Sequence, residues 1–422
     1  MLFRFSLYGF LKNQRYFEPF FALALLERGL SFAQLGLLIG VREACSNVLE
    51  VPSGAAADAY GRRRCMVISF LAYIASFLIL GFGATFWQFA VAMVLYGIGD
   101  AFRSGTHKAM IFEWLRQTRR EGERTRVYGY TRSWSKIGSA VSSLLAGAFV
   151  LYTGRYSDVF LAATVPYAFN LINLATYPRR LDREREGAFR PSEVWHRTWQ
   201  TARAAIRKGH LRLLMIESMG FEGTYGAVKD YLQPILVTLA LGLPLATGLA
   251  VESRTAVLAG LTYSLLFFLS GVASRHAHRF EARHGGTERA AARLWWWYGG
   301  TFVALLPFAL MGLPVLAAGC FVALALLQNL WRPILISRID ACSDADRGAT
   351  VMSVEEQAQS AATMVMAPAL GVVMDLANAG MNGPAREFWP VAVFGIGAVL
   401  LVATTRRWAR VRSGAPSRRL RP

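Results

Sequence analysis

Ionisable groups set inside apolar stretches are the residues of this chain that could do chemistry. Glu43, Asn47 and Glu50 fall at i, i+4 and i+7 of one such stretch, which puts them on one face of a helix. Asp100, Arg103 and His107 follow i, i+3 and i+7, and Arg132, Lys136 and Ser139 repeat the pattern roughly. Arg15, Glu18 and Arg42 lie in early stretches; Glu217, Glu222, Lys229 and Asp230 share a later one; Glu355, Glu356 and Gln359 share another. A charged side chain at the centre of a membrane helix costs about 2.5–3.5 kcal/mol on insertion scales, so these groups must face a polar interior and find partners. Two roles are open to them. Some pair and hold helices together, Arg15 with Glu43 for example, and Glu50, Glu113, Lys136, Glu355 and Glu356 near the span ends suit that role. Arg15, Glu18, Arg42, Glu43, Asp100, Arg103, Glu217 and Glu222 lie nearer mid-membrane, where they can line a path for a solute and a proton. A carboxyl group there can load a proton from one side and release it to the other. Arginines favour an anionic ligand, because guanidinium pairs bidentately with carboxylate or phosphate. The acids would equally attract a cation, and the sequence leaves both open.

Other chemistries find no support. None of the five lysines (12, 108, 136, 208, 229) is followed by Ser or Thr, so there is no phosphate loop of the GxxxxGK[ST] type. No GxSxG elbow appears. His276, His278 and His284 have a loosely metal-like spacing, but Arg275 and Arg279 beside them would repel a cation, so no metal and no cofactor is expected. Cys45, Cys65, Cys320 and Cys342 are scattered without a CxxC pair and imply no disulfide framework.

The elements that must position these groups follow from hydropathy. The chain has 422 residues, 54% of them hydrophobic, with mean hydropathy +0.33. Apolar runs of about 20 residues recur, the length that crosses a bilayer. They fall at 7–27, 32–52, 66–84, 87–115, 127–153 and 156–177, then at 210–240, 253–275, 293–312, 314–338, 349–377 and 388–405. The net charge of +19 is concentrated in alternate loops, which reads as topology and excludes nucleic-acid binding. Both termini are then cytoplasmic. Lys12, Arg15 and Glu18 interrupt the apolar core that a cleaved signal peptide would need, so the first run is read as a retained span. Trp295, Trp296 and Trp297 open the ninth run, where an aromatic belt is expected.

An all-α membrane protein of twelve transmembrane helices in two six-helix halves is predicted. Its units are residues 1–177, a cytoplasmic connector at 178–209 holding an amphipathic surface helix, residues 210–405, and a basic tail at 406–422. Weak internal symmetry supports two halves: Arg124 precedes Gly147 by 23 residues and Arg347 precedes Gly371 by 24. Gly271 to Arg275 stands where a degenerate copy of the first-half loop would fall.

That first-half loop is GAAADAYGRRR, Gly54 to Arg64, read as a tight cytoplasmic turn between spans 2 and 3. Its pattern Gly54-x-x-x-Asp58-x-x-Gly61-Arg62-Arg63 resembles the loop between helices 2 and 3 of the major facilitator superfamily, with Ala59 where most members carry a basic residue. Twelve spans in two halves extend the resemblance along essentially the whole chain. Arg42 to Gly54 and Gly97 to Leu115 are similar to segments of bacterial members that export small molecules. The resemblance implies a conformational latch at Gly54, Asp58, Gly61, Arg62 and Arg63, in which Asp58 and Arg62 bridge spans 2 and 11; Glu113 is expected to join it. It implies a monomeric secondary transporter in a bacterial inner membrane, not an enzyme. Proton-coupled efflux of a small amphipathic organic molecule is the leading expectation. Proton-coupled uptake of an organic anion and a non-transporting receptor or scaffold are the alternatives.

Overall fold

Caps, prolines and glycines set the ends of the helices. The structure is a computed structural model that describes residues 1–104, 106–178, 181, 203, 209–242, 248–342, 348–379 and 387–412. Most of the predicted connector, the loop holding Arg347 and residues 413–422 of the predicted tail lie outside the described residues. Among the described residues the regular structure is all helical.

The first half contains α1 (Leu2–Lys12), α2 (Phe21–Leu26), α3 (Phe32–Tyr60), α4 (Arg62–Phe82), α5 (Phe86–Arg103), α6 (Thr106–Gln117), α7 (Arg124–Thr153) and α8 (Asp158–Ala175). The second contains α9 (Gly209–Ser218), α10 (Thr224–Val228), α11 (Leu232–Gly242), α12 (Val251–Arg283), α13 (Thr287–Leu310), α14 (Pro314–Cys342), α15 (Gly348–Ala377) and α16 (Trp389–Arg412). The pairs α1/α2 and α5/α6 and the run α9–α11 each make one span, which gives twelve. Six helices, among the described residues, are long and apolar enough by themselves to cross a bilayer.

Start signals act as their chemistry requires. Ser31 accepts from Gln34 N at 3.3 Å while the Gln34 side chain accepts from Ser31 N at 3.0 Å, a reciprocal cap that fixes the start of α3. Thr85 and Gln88 do the same for α5.

Four sequence expectations are corrected. The first span is not one helix: α1 stops at Lys12 and α2 starts at Phe21, with turns between them. Pro19 supplies no N–H and disfavours helix at Glu18 before it, while Asn13 folds back onto Gly9 O at 2.7 Å. Arg15 and Glu18 therefore sit on non-helical backbone. The Gly54–Arg64 segment is not a loop, because its alanine-rich stretch extends α3 to Tyr60. Gly61 alone makes the turn, at φ +97°, a torsion that an L side chain rarely adopts. The fourth span breaks after Arg103, where Ser104 of the Ser104-Gly105 pair takes ψ 129°. Finally, Gly271 to Arg275 lies inside α12, which runs on to Arg283.

Within the halves α4 packs on α5 and α8, and α14 on α12 and α13. The halves meet chiefly through α3 on α15 and α7 on α12. Small residues permit both contacts. Gly36 and Gly40 of α3 lie against Ala367, Pro368 and Met364 of α15, and a Cβ on Gly147 of α7 would come within 2.8 Å of Ala256 O on α12. Of the tryptophan triplet, Trp295 is buried, whereas Trp296 and Trp297 are exposed on the flank of the helix, as a belt requires.

Candidate functional site

The break in the first span gathers the central polar groups. It frees backbone groups on both its flanks, and long-range side chains bond several of them. The Tyr167 hydroxyl donates to Lys12 O at 2.9 Å. Gln233 of α11, fully buried, accepts from Ala22 N at 2.7 Å and donates to Glu18 O at 3.0 Å. One side chain of the second half thus ties the turn itself to the start of α2.

Beside this turn a small cavity of ≈40 Å³ lies between the halves, lined by Arg15, Glu18, Arg42, Tyr96, Lys229 and Asp230 among others. A second, of ≈50 Å³, adjoins it through Glu18, Lys229 and Asp230 and is walled by Tyr225, Tyr263 and Phe321. Lys229 and Asp230 lie on a tight turn between α10 and α11, and Lys229 Nζ donates to Asp230 Oδ1 at 3.1 Å. Arg42 pairs with the adjacent Glu43 at 2.6 Å and lies over the Tyr96 ring. Glu43 Oε2 accepts from Ser360 of α15 at 2.7 Å, so this carboxylate bridges the halves. The example pairing of Arg15 with Glu43 is not made: Arg42 is the closer cation, and Arg15 Nε is buried with no hydrogen-bond partner. The Glu18 carboxylate has no ion pair among the described residues.

Asp100 and Arg103 stay together as the helical spacing predicts, at 2.9 Å, and Tyr73 completes a triangle with them. His107 lies past the break and stacks on Tyr8, ring centroids 3.6 Å apart. From these residues an open cavity of ≈430 Å³ extends along the first half, between α1, α6 and α7. Lys12, Arg103, His107, Lys108, Arg132 and Lys136 line it with Asn13, Thr131, Ser135 and Ser139, and among the described residues no carboxylate does. Lys12, Lys108, Arg132 and Lys136 make no ion pair among the described residues.

The second-half acids are held differently. Between α9 and α10 the backbone widens into a π-turn at Met219–Gly223, and Glu222 lies on it, accepting from Gln328 at 2.9 Å. Phe221 beside it stacks on Tyr298 and Trp331. Glu217 and Arg338, both nearly fully buried, pair at 2.6 Å, and Arg338 also holds Glu288 at 2.7 Å. Arg332 binds Glu355 at 2.7 Å and Glu356 at 3.2 Å, with Ser218 donating to Glu355. Glu217 is thus brought into a separate ion-pair cluster, away from the central cavities. Arg332 and Arg338 were missed by the sequence reading, although both lie in an apolar run; a census of charges in the tenth span would have found them. Lys229 and Asp230 were noted there but not selected, and Gln233 carried no signal.

Of the latch residues, Arg62 donates to Ala109 O at 3.4 Å and Arg63 to Ala175 O at 3.1 Å, ties to the fourth and sixth spans. Glu113 accepts from Arg116 at 2.7 Å and Gln117 at 2.9 Å. Gly54 lies exposed on α3, and the Asp58 side chain lies outside the described residues. At the opposite end of α3 the Asp375 carboxylate of α15 accepts from Phe32 N and Ala33 N, each at 2.9 Å. That carboxylate sits where the helix dipole favours negative charge.

Comparison with known proteins supplies the context. The family model described as Major Facilitator Superfamily matches residues 13–366. A probable vesicular acetylcholine transporter-B of Danio rerio is 29% identical over 164 residues, 38% of this chain and 33% of that protein. An uncharacterized MFS-type transporter, YxaM, of Bacillus subtilis (strain 168) is 22% identical over 225 residues, 53% of this chain and 55% of that one. The matched stretches span a third to just over half of these relatives' own length. Among solved structures the nucleoside transporter NupG superposes with TM-score 0.74 at 11% identity, covering 97% of this chain and 98% of that one. A D-xylose-proton symporter superposes with TM-score 0.65 at 15% identity, covering 95% and 96%. At such identities the structural likeness speaks for the fold alone.

Proposed function

This chain belongs to the Major Facilitator Superfamily and is a multi-pass transmembrane transporter rather than an enzyme, and from that premise we propose that it moves a small amphipathic organic anion by proton-coupled alternating access. The observation that carries the proposal is the placement of Glu18. This carboxylate lines both small cavities between the halves, beside Arg15 and Lys229. In the proposed cycle Glu18 takes the proton, and Arg15 with Arg42 holds the anionic group. Glu43, Asp100 and Arg103 shape the path, and Glu222 is the acid on its second-half side. Residues 1–177 and 210–405 rock as the two units, joined by 178–209. The Gly54–Arg63 segment with Asp58, Gly61, Arg62 and Glu113 latches the far conformation.

The lysines and arginines of the open cavity favour an anion over a cation, because among the described residues no lining carboxylate offsets them. Outward movement across a bacterial inner membrane, with cytoplasmic termini and a monomeric protein, rests on the likeness of Arg42–Gly54 and Gly97–Leu115 to exporter segments. The cationic cavity also sustains a second reading, uptake of an organic anion by proton symport.

Reconstituted vesicles test the proposal. A fluorescent aromatic carboxylate should accumulate when a proton gradient is imposed, and a protonophore should abolish the accumulation. Glu18→Gln should lose gradient-driven accumulation yet retain counterflow. Equal loss of both, or gradient-driven accumulation unchanged, refutes the role of Glu18. The sign of the gradient that drives accumulation separates export from uptake.

A further inference from the structure

A further cavity lies away from the transport path, on the outer flank of the second half. It has a volume of ≈390 Å³ and is lined by His276, Arg279, Phe280 and Arg283 of α12, His284 just past its end, Trp297 of α13 and Leu330 of α14. We propose that this cavity binds the headgroup of an anionic phospholipid.

The argument starts from spacing on α12. His276, Arg279 and Arg283 fall at i, i+3 and i+7, so three nitrogen-bearing side chains share one face. Toward the membrane interior that face is continued by Leu261, Leu265, Phe268 and Val272, all exposed. One stripe of one helix thus changes from exposed hydrocarbon at Val272 to basic side chains, half-buried at His276 and exposed at Arg279 and Arg283. That change marks the boundary between acyl chains and headgroups. Trp297, 46% exposed, stands at the same level on the neighbouring helix, as interfacial tryptophans do. Its ring lies 5.3 Å from that of Phe280 and 6.1 Å from that of His284, which makes an aromatic wall for the cavity.

Charge and hydrogen bonding suit a phosphodiester. Arg279 and Arg283 are exposed and make no ion pair among the described residues, so their guanidinium groups are available as forked donors. His276 and His284 each place Nδ1 2.8 Å from a backbone carbonyl one turn earlier, Val272 O and Phe280 O. A carbonyl can only accept, so Nδ1 carries the hydrogen and Nε2 of the neutral ring is left as an acceptor for a headgroup hydroxyl such as those of glycerol, while the two guanidinium groups serve the phosphate. The apolar stripe of α12 that leads up to the cavity, with Trp297 beside it, suits a lipid whose chains remain in the bilayer. A free phosphate in water would make no use of it. Basic pockets between membrane helices at the headgroup level are a recurrent solution for anionic lipids.

The experiment is native mass spectrometry on the detergent-purified full chain with added phosphatidylglycerol, phosphatidylcholine or inorganic phosphate. Phosphatidylglycerol should be retained at least tenfold over phosphatidylcholine and should not be displaced by inorganic phosphate. Arg279→Gln with Arg283→Gln should lower its retention about tenfold. Trp297→Ala, which leaves the charge unchanged, should lower it several-fold. Arg64→Gln with Arg126→Gln removes the same charge from the other half and should change retention less than twofold. An equal loss in that control would reduce the effect to general surface potential and overturn the site. So would displacement of the lipid by inorganic phosphate, or unaltered retention in the Arg279/Arg283 variant. Transport of the test anion is measured in parallel, because the site does not depend on the direction or coupling of transport.

Discussion

Asp375→Asn should shift the protein away from the conformation described here. The native carboxylate reaches from α15 to the first two N–H groups of α3, at 2.9 Å each. These bonds join the two halves and can exist only while the ends of α3 and α15 that carry them are together. Asn keeps one acceptor oxygen, loses the charge and leaves one N–H to water. A hydrogen bond to a charged group contributes about 1.5–3 kcal/mol, and the partial exposure of Asp375 argues for the lower end, about 1.5–2 kcal/mol. At 1.4 kcal/mol per decade that is roughly a 10- to 30-fold shift of the equilibrium toward separation of these ends. The assay is a distance distribution between spin labels at Leu37 and Leu376, both exposed on the flanks of the two helices, after replacement of the four cysteines by serine. The variant should gain a longer-distance population in the absence of any substrate. An unchanged distribution would mean that the carboxylate merely caps a helix and that other contacts hold the halves together.

Further predictions concern the ion-pair clusters and the close helix contacts. Arg338→Met removes the 2.6 Å ion-pair partner of the buried Glu217 carboxylate and should destabilise the protein by about 3–5 kcal/mol, read as a lower melting midpoint in detergent. Adding Glu217→Gln should recover most of that loss, and failure to recover would deny the pair its structural role. Gly147→Leu forces a side chain toward Ala256 O; labels across α7 and α12 should report wider separation, and transport should fall. Lys12→Gln with Lys136→Gln should raise the KM for an anionic substrate more than that for a neutral one; equal effects on both would remove charge recognition from the open cavity. Asp58→Asn should leave the protein folded and inserted while slowing transport, and normal transport would make that motif topogenic only.

Sequence patterning conveyed the fold more fully than the site, for reasons visible in individual residues. Twelve apolar runs sufficed to locate twelve spans, because bilayer thickness imposes a length on each. Local conflicts were harder to weigh. Pro19 marks the break in the first span, yet the apolar run continues through it; the backbone groups it releases are bonded by Gln233 and Tyr167, over a hundred residues away. The Gly54–Arg64 segment was legible as a landmark but not as structure, since alanines extend a helix even where polar residues suggest a turn. Helical spacing succeeded for Asp100 and Arg103, one turn apart on unbroken helix. It failed for Arg15 and Glu18, whose backbone is not helical. Asp375 escaped notice because its partners are main-chain N–H groups, which no side-chain pattern announces.

The pairing of α3 with α15 has a consequence for how this chain tolerates change. Each helix has about 30 residues, so each is roughly 45 Å long at 1.5 Å per residue. Gly36, Gly40 and Gly371 lie where the backbones nearly touch, while Leu37, Val372, Val373 and Leu376 point outward from the same helices. A saturation mutagenesis profile along either helix should therefore be corrugated. Positions that accept almost any apolar residue should alternate with positions that accept glycine alone, at the helical repeat. Drift in sequence can then accumulate freely on the lipid-facing flank while the facing stripe stays fixed, and two such proteins could come to differ at most positions and still slide on the same track.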